Sequence, residues 1–282
     1  MIILSLVLIV VAVVIGLAYN RLVWRPRQES GDLSSDGLQM KEVTGPLASL
    51  AVLLVAFTLV QSFNSWSGAK RAEAGEAAAT LNLFRQAELY GDARLRDDVR
   101  GDVICYSTSV IEQEWPAMAE GRYSNVPAYW ASQIRRTAIR QVRSGTDERA
   151  GVAVLDRDRE RTIGRQDRLN EAGSDIPTAV FLLMLAAVLA AVLLIGVVTA
   201  KGVSPGVHVV VVIAGAVIFG SALLLIRSLD SPFTGFTARG PEQTIAIRQQ
   251  MLNETSQDEL PCDDSGLPVD DALFRPRTFP LA

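Results

Sequence analysis

Four stretches of the chain carry no charged side chain: Met1 to Asn20, Val43 to Ala69, Ile176 to Ala200 and Gly202 to Ile226, the last holding the single histidine, His208. Each meets or exceeds the roughly 18 apolar residues that a membrane-spanning helix needs. Inside hydrocarbon the backbone must satisfy its own polar groups, so the pattern predicts helices and not open strands. The expected spans are 1–20, 43–65, 176–200 and 206–227. The first has no basic leader and no small-x-small cleavage site, and Arg21, Arg25 and Arg27 follow it, so it reads as an uncleaved anchor.

A polar block separates the second and third spans. Lys70 to Asp175 holds 17 Lys or Arg and 18 Asp or Glu, is rich in Ala, Leu and Arg, and is poor in strand formers. It predicts helices at about 66–90, 93–120, 126–144 and 147–173, with caps available at Asp92, at Ser124 or Asn125 ahead of Pro127, and at Thr146. The first and last run on from the adjoining spans without a breaker, except that Ser174, Asp175 and Pro177 mark a cap or kink. The expected fold is an all-α membrane protein: four transmembrane helices with an antiparallel helical domain, 66–175, inserted between the second and third. A short polar loop occupies 21–42, and a turn and short helix occupy 228–253. From Glu254 the chain holds seven acids against two arginines among Pro, Asp and Ser, so 254–282 reads as an acidic, disordered tail.

Composition narrows the function classes. Of 282 residues 49% are hydrophobic, and the formal net charge is −4 with acids and bases interleaved, so no basic patch with aromatic neighbours offers itself to nucleic acid. One histidine in an apolar run leaves no Ser–His or Cys–His couple, no zinc spacing and no glycine-rich phosphate loop. The chain therefore reads as non-enzymatic, with no cofactor and no metal expected, and His208 as a helix-packing or interfacial residue. Short-loop bases Arg21, Arg25, Arg27, Lys41 and Lys201 place those loops in the cytoplasm. The N-terminus, the helical domain and the tail are then extracytoplasmic. The two cysteines, Cys105 and Cys262, fall on one side because an even number of spans separates them. They form a disulfide if that side is oxidising; two unpaired thiols are the alternative.

Thr58, Gln61, Ser62 and Ser65 fall at i, i+3, i+4 and i+7 of the second span, a polar stripe on an otherwise apolar helix. Further along the same helix face lie Glu73, Glu76 and Thr80, while Arg157, Arg161, Arg165 and Arg168 share a face of the last polar helix. Counting outward from the spans brings Glu73 and Glu76 level with Arg165 and Arg168. Two readings stay open. The stripe is interhelical glue with a solvated arginine face, or it lines a water-filled path whose vestibule carries the charges. No span buries an Asp, Glu, Lys or Arg, which speaks against a proton relay or ion-coupled pump. Ala186 with Ala190, Ala187 with Ala191, and Ala216 with Gly220 are small pairs that permit close helix approach. In "IEQEWP" Glu112 and Glu114 point in different directions on a helix, and Pro116 kinks it beside Trp115.

Several segments together resemble the bestrophin-like domain family of mostly bacterial membrane proteins: "GEAAATLNLFRQA" (75–87), "EQEWP" (112–116), "RQDRLNEA" (165–172) running into "IP", and "LDSPFTG" after the last span. The resemblance covers about Val43 to Leu252. Bestrophins proper are pentameric anion channels with a related Pro-Phe-Gly corner followed by an acidic, calcium-binding cluster. Here Asp230, Pro232, Phe233 and Gly235 match the corner, but "FTARGPE" follows, so calcium binding is not carried over. The resemblance implies a homo-oligomeric membrane protein in lipid, and an ion channel as its function. Glu73 and Glu76 on a vestibule would suit cations. A non-conducting scaffold or accessory subunit, whose helical domain binds a partner membrane protein, is the second expectation. At the corner itself, Asp230 bonds nearby backbone, Pro232 stops the helix and Phe233 folds back as an interfacial plug.

Overall fold

In the computed structural model the chain is described over residues 2–24, 36–173, 176–198, 203–255, 259–271 and 274–281. Arg25, Arg27, Ser174, Asp175 and Lys201, to which the loop and kink expectations attach, lie outside the described residues, and so does the side chain of Lys41. The chain divides into two units, Met1–Asn64 with Asp175–Asp230, and Ser65–Ser174 with Ser231–Ala282.

The first unit contains four helices long and apolar enough to cross a membrane. They are α1 (Ile2–Tyr19, running into a π turn Asn20–Trp24), the first part of α2 (Asp36–Gln86), α7 (Thr178–Val197) and α8 (Pro205–Leu229). Part of the polar loop expected at 21–42 is thus helix, since α2 begins at Asp36 and carries Pro46 inside it. Ile9, Ala12, Val55, Phe181, Met184, Val188 and Ile226 form the core between these helices. Small residues let them approach. A Cβ on Gly16 would stand 3.0 Å from the Gly196 Cα, so α1 and α7 touch backbone to backbone there. Ala51, Ala187 and Ala191 pack together elsewhere, using one of the small pairs read from the sequence. Pro177 precedes the first turn of α7, and the Ile176 amide donates to Asp230 Oδ1 at 3.1 Å.

The second unit takes α2 from Ser65 onward, then α3 (Ala93–Ser109), a π turn (Val110–Glu114), α4 (Trp115–Ala119), α5 (Val126–Ser144), α6 (Glu148–Asn170) and α9 (Glu242–Glu254). Asp92 caps α3, accepting from the Arg94 and Leu95 amides. The α5 cap falls at the expected pair, and the α6 cap falls one residue later than expected. Ser124 Oγ accepts from the Val126 amide at 3.2 Å although Asn125 is the cap residue of α5. Asp147, not Thr146, occupies the cap of α6 without a side-chain bond. Gly145, at φ 72°, supplies the left-handed turn that ends α5. One core gathers Leu83, Phe84, Tyr90, Val103, Ile134, Val154 and Met251, and a second gathers Cys105, Tyr106, Trp115, Met118, Trp130 and Phe233.

The C-terminal segment is not disordered where it is described. Its strand β2 (Thr278–Pro280) pairs antiparallel with β1 (Arg122–Ser124), register Tyr123 to Phe279, and β1 falls in the gap between the helices expected at 93–120 and 126–144. Cys262 is disulfide-bonded to Cys105, 157 positions earlier, with Cα atoms 5.7 Å apart. Asp263 caps the following turn, accepting from the Ser265 and Leu267 amides. Gly266, at φ 78°, sits so close to α3 that a Cβ would lie 2.6 Å from the Ser109 nitrogen. The composition misleads because Asp263 and Asp271 serve as turn caps, while the sparse apolar residues Leu260, Leu267, Phe274 and Leu281 dock on a surface made by other segments.

Candidate functional site

The stripe on α2 divides in the structure. Thr58 and Ser62 are buried, and their hydroxyls donate to carbonyls of their own helix, Leu54 and Thr58, at 2.6 and 2.9 Å. Ser65 is also buried, and among the described residues its hydroxyl has no hydrogen-bond partner. Gln61 is exposed. Back-bonding satisfies Thr58 and Ser62 locally, so those two need no neighbouring helix. At 3.6 residues per turn, Phe57, Gln61, Asn64, Arg71, Gly75 and Asn82 fall within about 80° of one another on α2. All six are exposed. Gly68 and Ala79 fall in the same arc and are buried, so the exposed face is interrupted: Phe57, Gln61 and Asn64 form one patch within the second span, and Arg71, Gly75 and Asn82 lie beyond it. Asn64 and Arg71 do not fall on the i, i+3, i+4, i+7 spacing that relates Thr58, Gln61, Ser62 and Ser65, so that spacing does not reveal them.

Glu73, Glu76 and Arg168 are buried and Arg165 is half-buried. Arg168 is fully buried and lies between two carboxylates. Its Nε donates to Glu76 Oε2 at 2.5 Å and its Nη2 to Glu114 Oε2 at 2.6 Å, while Nη1 donates to Met118 Sδ at 2.7 Å. Arg165 takes the other side of Glu114, Nη2 to Oε1 at 2.5 Å and Nε to Oε2 at 3.1 Å. Tyr106 donates to Glu76 Oε1 at 2.6 Å. The approach depends on Gly164, where a Cβ would stand 2.7 Å from the Glu76 Cα. Glu73 is buried apart from this group and accepts from the Gln243 amide in the first turn of α9 at 2.9 Å, a site that favours negative charge. No spacing rule could reveal that partner, 170 positions away.

Electrostatics follow the geometry. Burial alone would raise the Glu114 carboxyl, but the guanidinium charges of Arg168 and Arg165 outweigh it and hold it below the ordinary carboxylate value. For Arg168 burial opposes the charge, and Glu76 with Glu114 more than restores it, so its pKa lies above that of a free guanidinium. Burial, followed by the Glu76 charge, raises the Tyr106 phenol. Further along α6, Arg161 is buried against Asp158 at 2.6 Å and lies 4.3 Å over the Tyr106 ring, with Arg135 on the other Asp158 oxygen at 2.7 Å. Only Arg157 of the expected arginine row stays solvated, paired with Glu160.

The "IEQEWP" segment forms the π turn. Pro116 has no amide and its ring crowds the carbonyl four residues back. The helix widens instead, and the Trp115 amide donates to the Val110 carbonyl. That widening turns Glu114 fully inward while Glu112 stays exposed. Trp115 lies 5.3 Å from the Arg168 guanidinium and packs edge-on against Phe233 at 5.2 Å. Phe233 is consequently a core residue of the second unit and no interfacial plug; the exposed ring of the corner is Phe236. Gly235, at φ 78°, makes the turn, and the Arg239 amide donates to the Pro232 carbonyl at 2.9 Å. Asp230 bonds Arg227 and the distant Ile176 amide. Among the described residues no cluster of His, Cys, Asp or Glu could hold a metal ion.

Four membrane-length helices and a separate helical unit carrying a buried Glu–Arg network define a polytopic helical membrane protein. The Bestrophin-like domain model matches residues 6–243, and the chain belongs to that family. No curated protein shows significant similarity to it. Among solved structures, three point variants of a bacterial bestrophin homologue from Klebsiella pneumoniae are similar at TM-scores of 0.70, 0.68 and 0.67. Identities are 14%, 15% and 14%, each covering 91% of this chain and 97–99% of the other. At such identity the likeness is one of fold.

Proposed function

We propose that the protein is a homo-oligomeric ion channel in which copies of α2 surround the conducting path and the second unit stands as an antiparallel helical domain inserted between spans two and three. The observation that carries this reading is the exposed patch of α2. Gln61 and Asn64 lie on it within the second span, which its own chain leaves largely uncovered, as it does the first and fourth. An amide facing lipid costs several kcal/mol, so this face meets water or another copy. With Glu73 and Glu76 buried, a cation preference loses the carboxylates it rested on. The exposed charge on the same arc is Arg71.

The disulfide supports an extracytoplasmic second unit, since such bonds persist in oxidising compartments. The short-loop bases point the same way. Purified chain in liposomes should pass ions above an empty-vesicle control, and Gln61→Leu should change the unitary conductance while Arg71→Glu moves the reversal potential toward cations. A monomer that carries no flux would refute the proposal, as would conduction indifferent to both substitutions.

A further inference from the structure

At the end of α1 and the start of α8, the first unit encloses an open cavity of about 890 Å³. Its walls are apolar at Leu17, Leu22 and Val209 and polar at Arg21 and His208. Arg21 is exposed and, among the described residues, forms no ion pair or hydrogen bond. His208 is 7% exposed, and its Nε2 lies 3.0 Å from the Gly196 carbonyl. A carbonyl only accepts, so Nε2 carries a proton, and in the neutral ring Nδ1 is the acceptor. Nδ1 makes no hydrogen bond among the described residues. The cavity thus offers a cation, a buried acceptor and an apolar trough at the level where two spanning helices leave the hydrocarbon.

We infer that this cavity binds one anionic phospholipid with a hydroxylated headgroup: the phosphodiester on Arg21, a headgroup hydroxyl donating to His208 Nδ1, and acyl carbons along Leu17, Leu22 and Val209. On the orientation proposed above, the cavity lies in the inner leaflet, where anionic lipid concentrates. The inference requires the chain to cross the membrane and does not require it to conduct.

The test uses full-length chain in detergent, offered phosphatidylglycerol or phosphatidylcholine with identical acyl chains, and read by native mass spectrometry and by the thermal midpoint. Wild type should retain phosphatidylglycerol in preference, and Arg21→Ala should weaken that retention about five-fold, the worth of one basic residue at an anionic surface. Gly206→Leu offers a control with the charge intact. A Cβ there meets no atom within 4 Å, so its side chain grows into open space beside the cavity lining and should exclude the lipid without unfolding the helix. Equal retention of the two lipids, or a phosphatidylglycerol preference untouched by Arg21→Ala, overturns the inference. So does an equal midpoint rise with inorganic phosphate alone, which would mark a small-anion site.

Discussion

Glu114 is fully buried and holds two arginines, so its charge cannot be removed in isolation. In Glu114→Gln the guanidinium of Arg168 keeps Glu76 but loses its second carboxylate, and Arg165 loses its only one. Breaking a buried pair by deleting one partner costs about 3–5 kcal/mol. We expect a matching fall in the thermal unfolding midpoint of the Gln variant, and a much smaller effect for Glu112→Gln on the exposed side of the same turn. Acid should act in the same direction on wild type. The Glu114 carboxyl is held below its ordinary 4.5, so its contribution is present above that value and is lost as pH falls beneath it. Asp102 behaves oppositely. Burial, reinforced by Asp98, pushes its carboxyl up to about 7 from 3.8, so the folded state keeps a proton that the unfolded chain has released. The stability this supplies is complete below 3.8 and is lost as pH rises through about 7. Asp102→Asn should raise the midpoint at pH above neutrality and flatten its decline across that window.

At the scale of the helices, backbone contact sets what each position tolerates. Gly164 and Gly75 face opposite circumstances, since a Cβ at Gly164 meets the α2 backbone and one at Gly75 meets nothing. Gly164→Val should separate α6 from α2 and unfold the second unit's network. Gly75→Leu should leave the midpoint of a single chain unchanged or higher, given the cost of glycine in a helix, while lowering the oligomer's recovery on size-exclusion chromatography if α2 is the contact between copies. The helices themselves were legible because charge-free runs of membrane length and Gly, Asp and Pro breaks are local signals. Their faces were legible only in part. Thr58 and Gln61 share a stripe on paper, yet Thr58 falls on the side of α2 that buries Ala51 and Val55 while Gln61 is left exposed. The pairing of Glu76 with the α6 arginines followed from counting residues outward. The inward turn of Glu114 did not, because it rests on a π turn that Pro116 imposes through a carbonyl clash rather than on any repeat.

For the whole chain, the family match stops at residue 243, whereas ordered structure continues through α9, the disulfide and β2. The composition of 254–282 hid this, since Asp263 and Asp271 satisfy backbone amides and its partner surface exists only once the helical unit has folded. Removing the staple should free the segment: Cys262→Ser should lower the midpoint by about 2–5 kcal/mol in stability and open the chain beyond α9 to limited proteolysis, with α2 to α6 still protected. A segment that stays protease-resistant in that variant would show that docking alone suffices. The separation of Cys105 from Cys262 also has a bearing on biosynthesis. At about 5–20 residues per second of synthesis, the later cysteine emerges roughly 8–30 s after the earlier one, across the 157 positions between them. Throughout that interval the nascent helical unit exposes a lone thiol to every oxidant it meets. With only two cysteines in the chain, the hazard is adduct formation or cross-linking to a foreign polypeptide, and never a scrambled internal bridge.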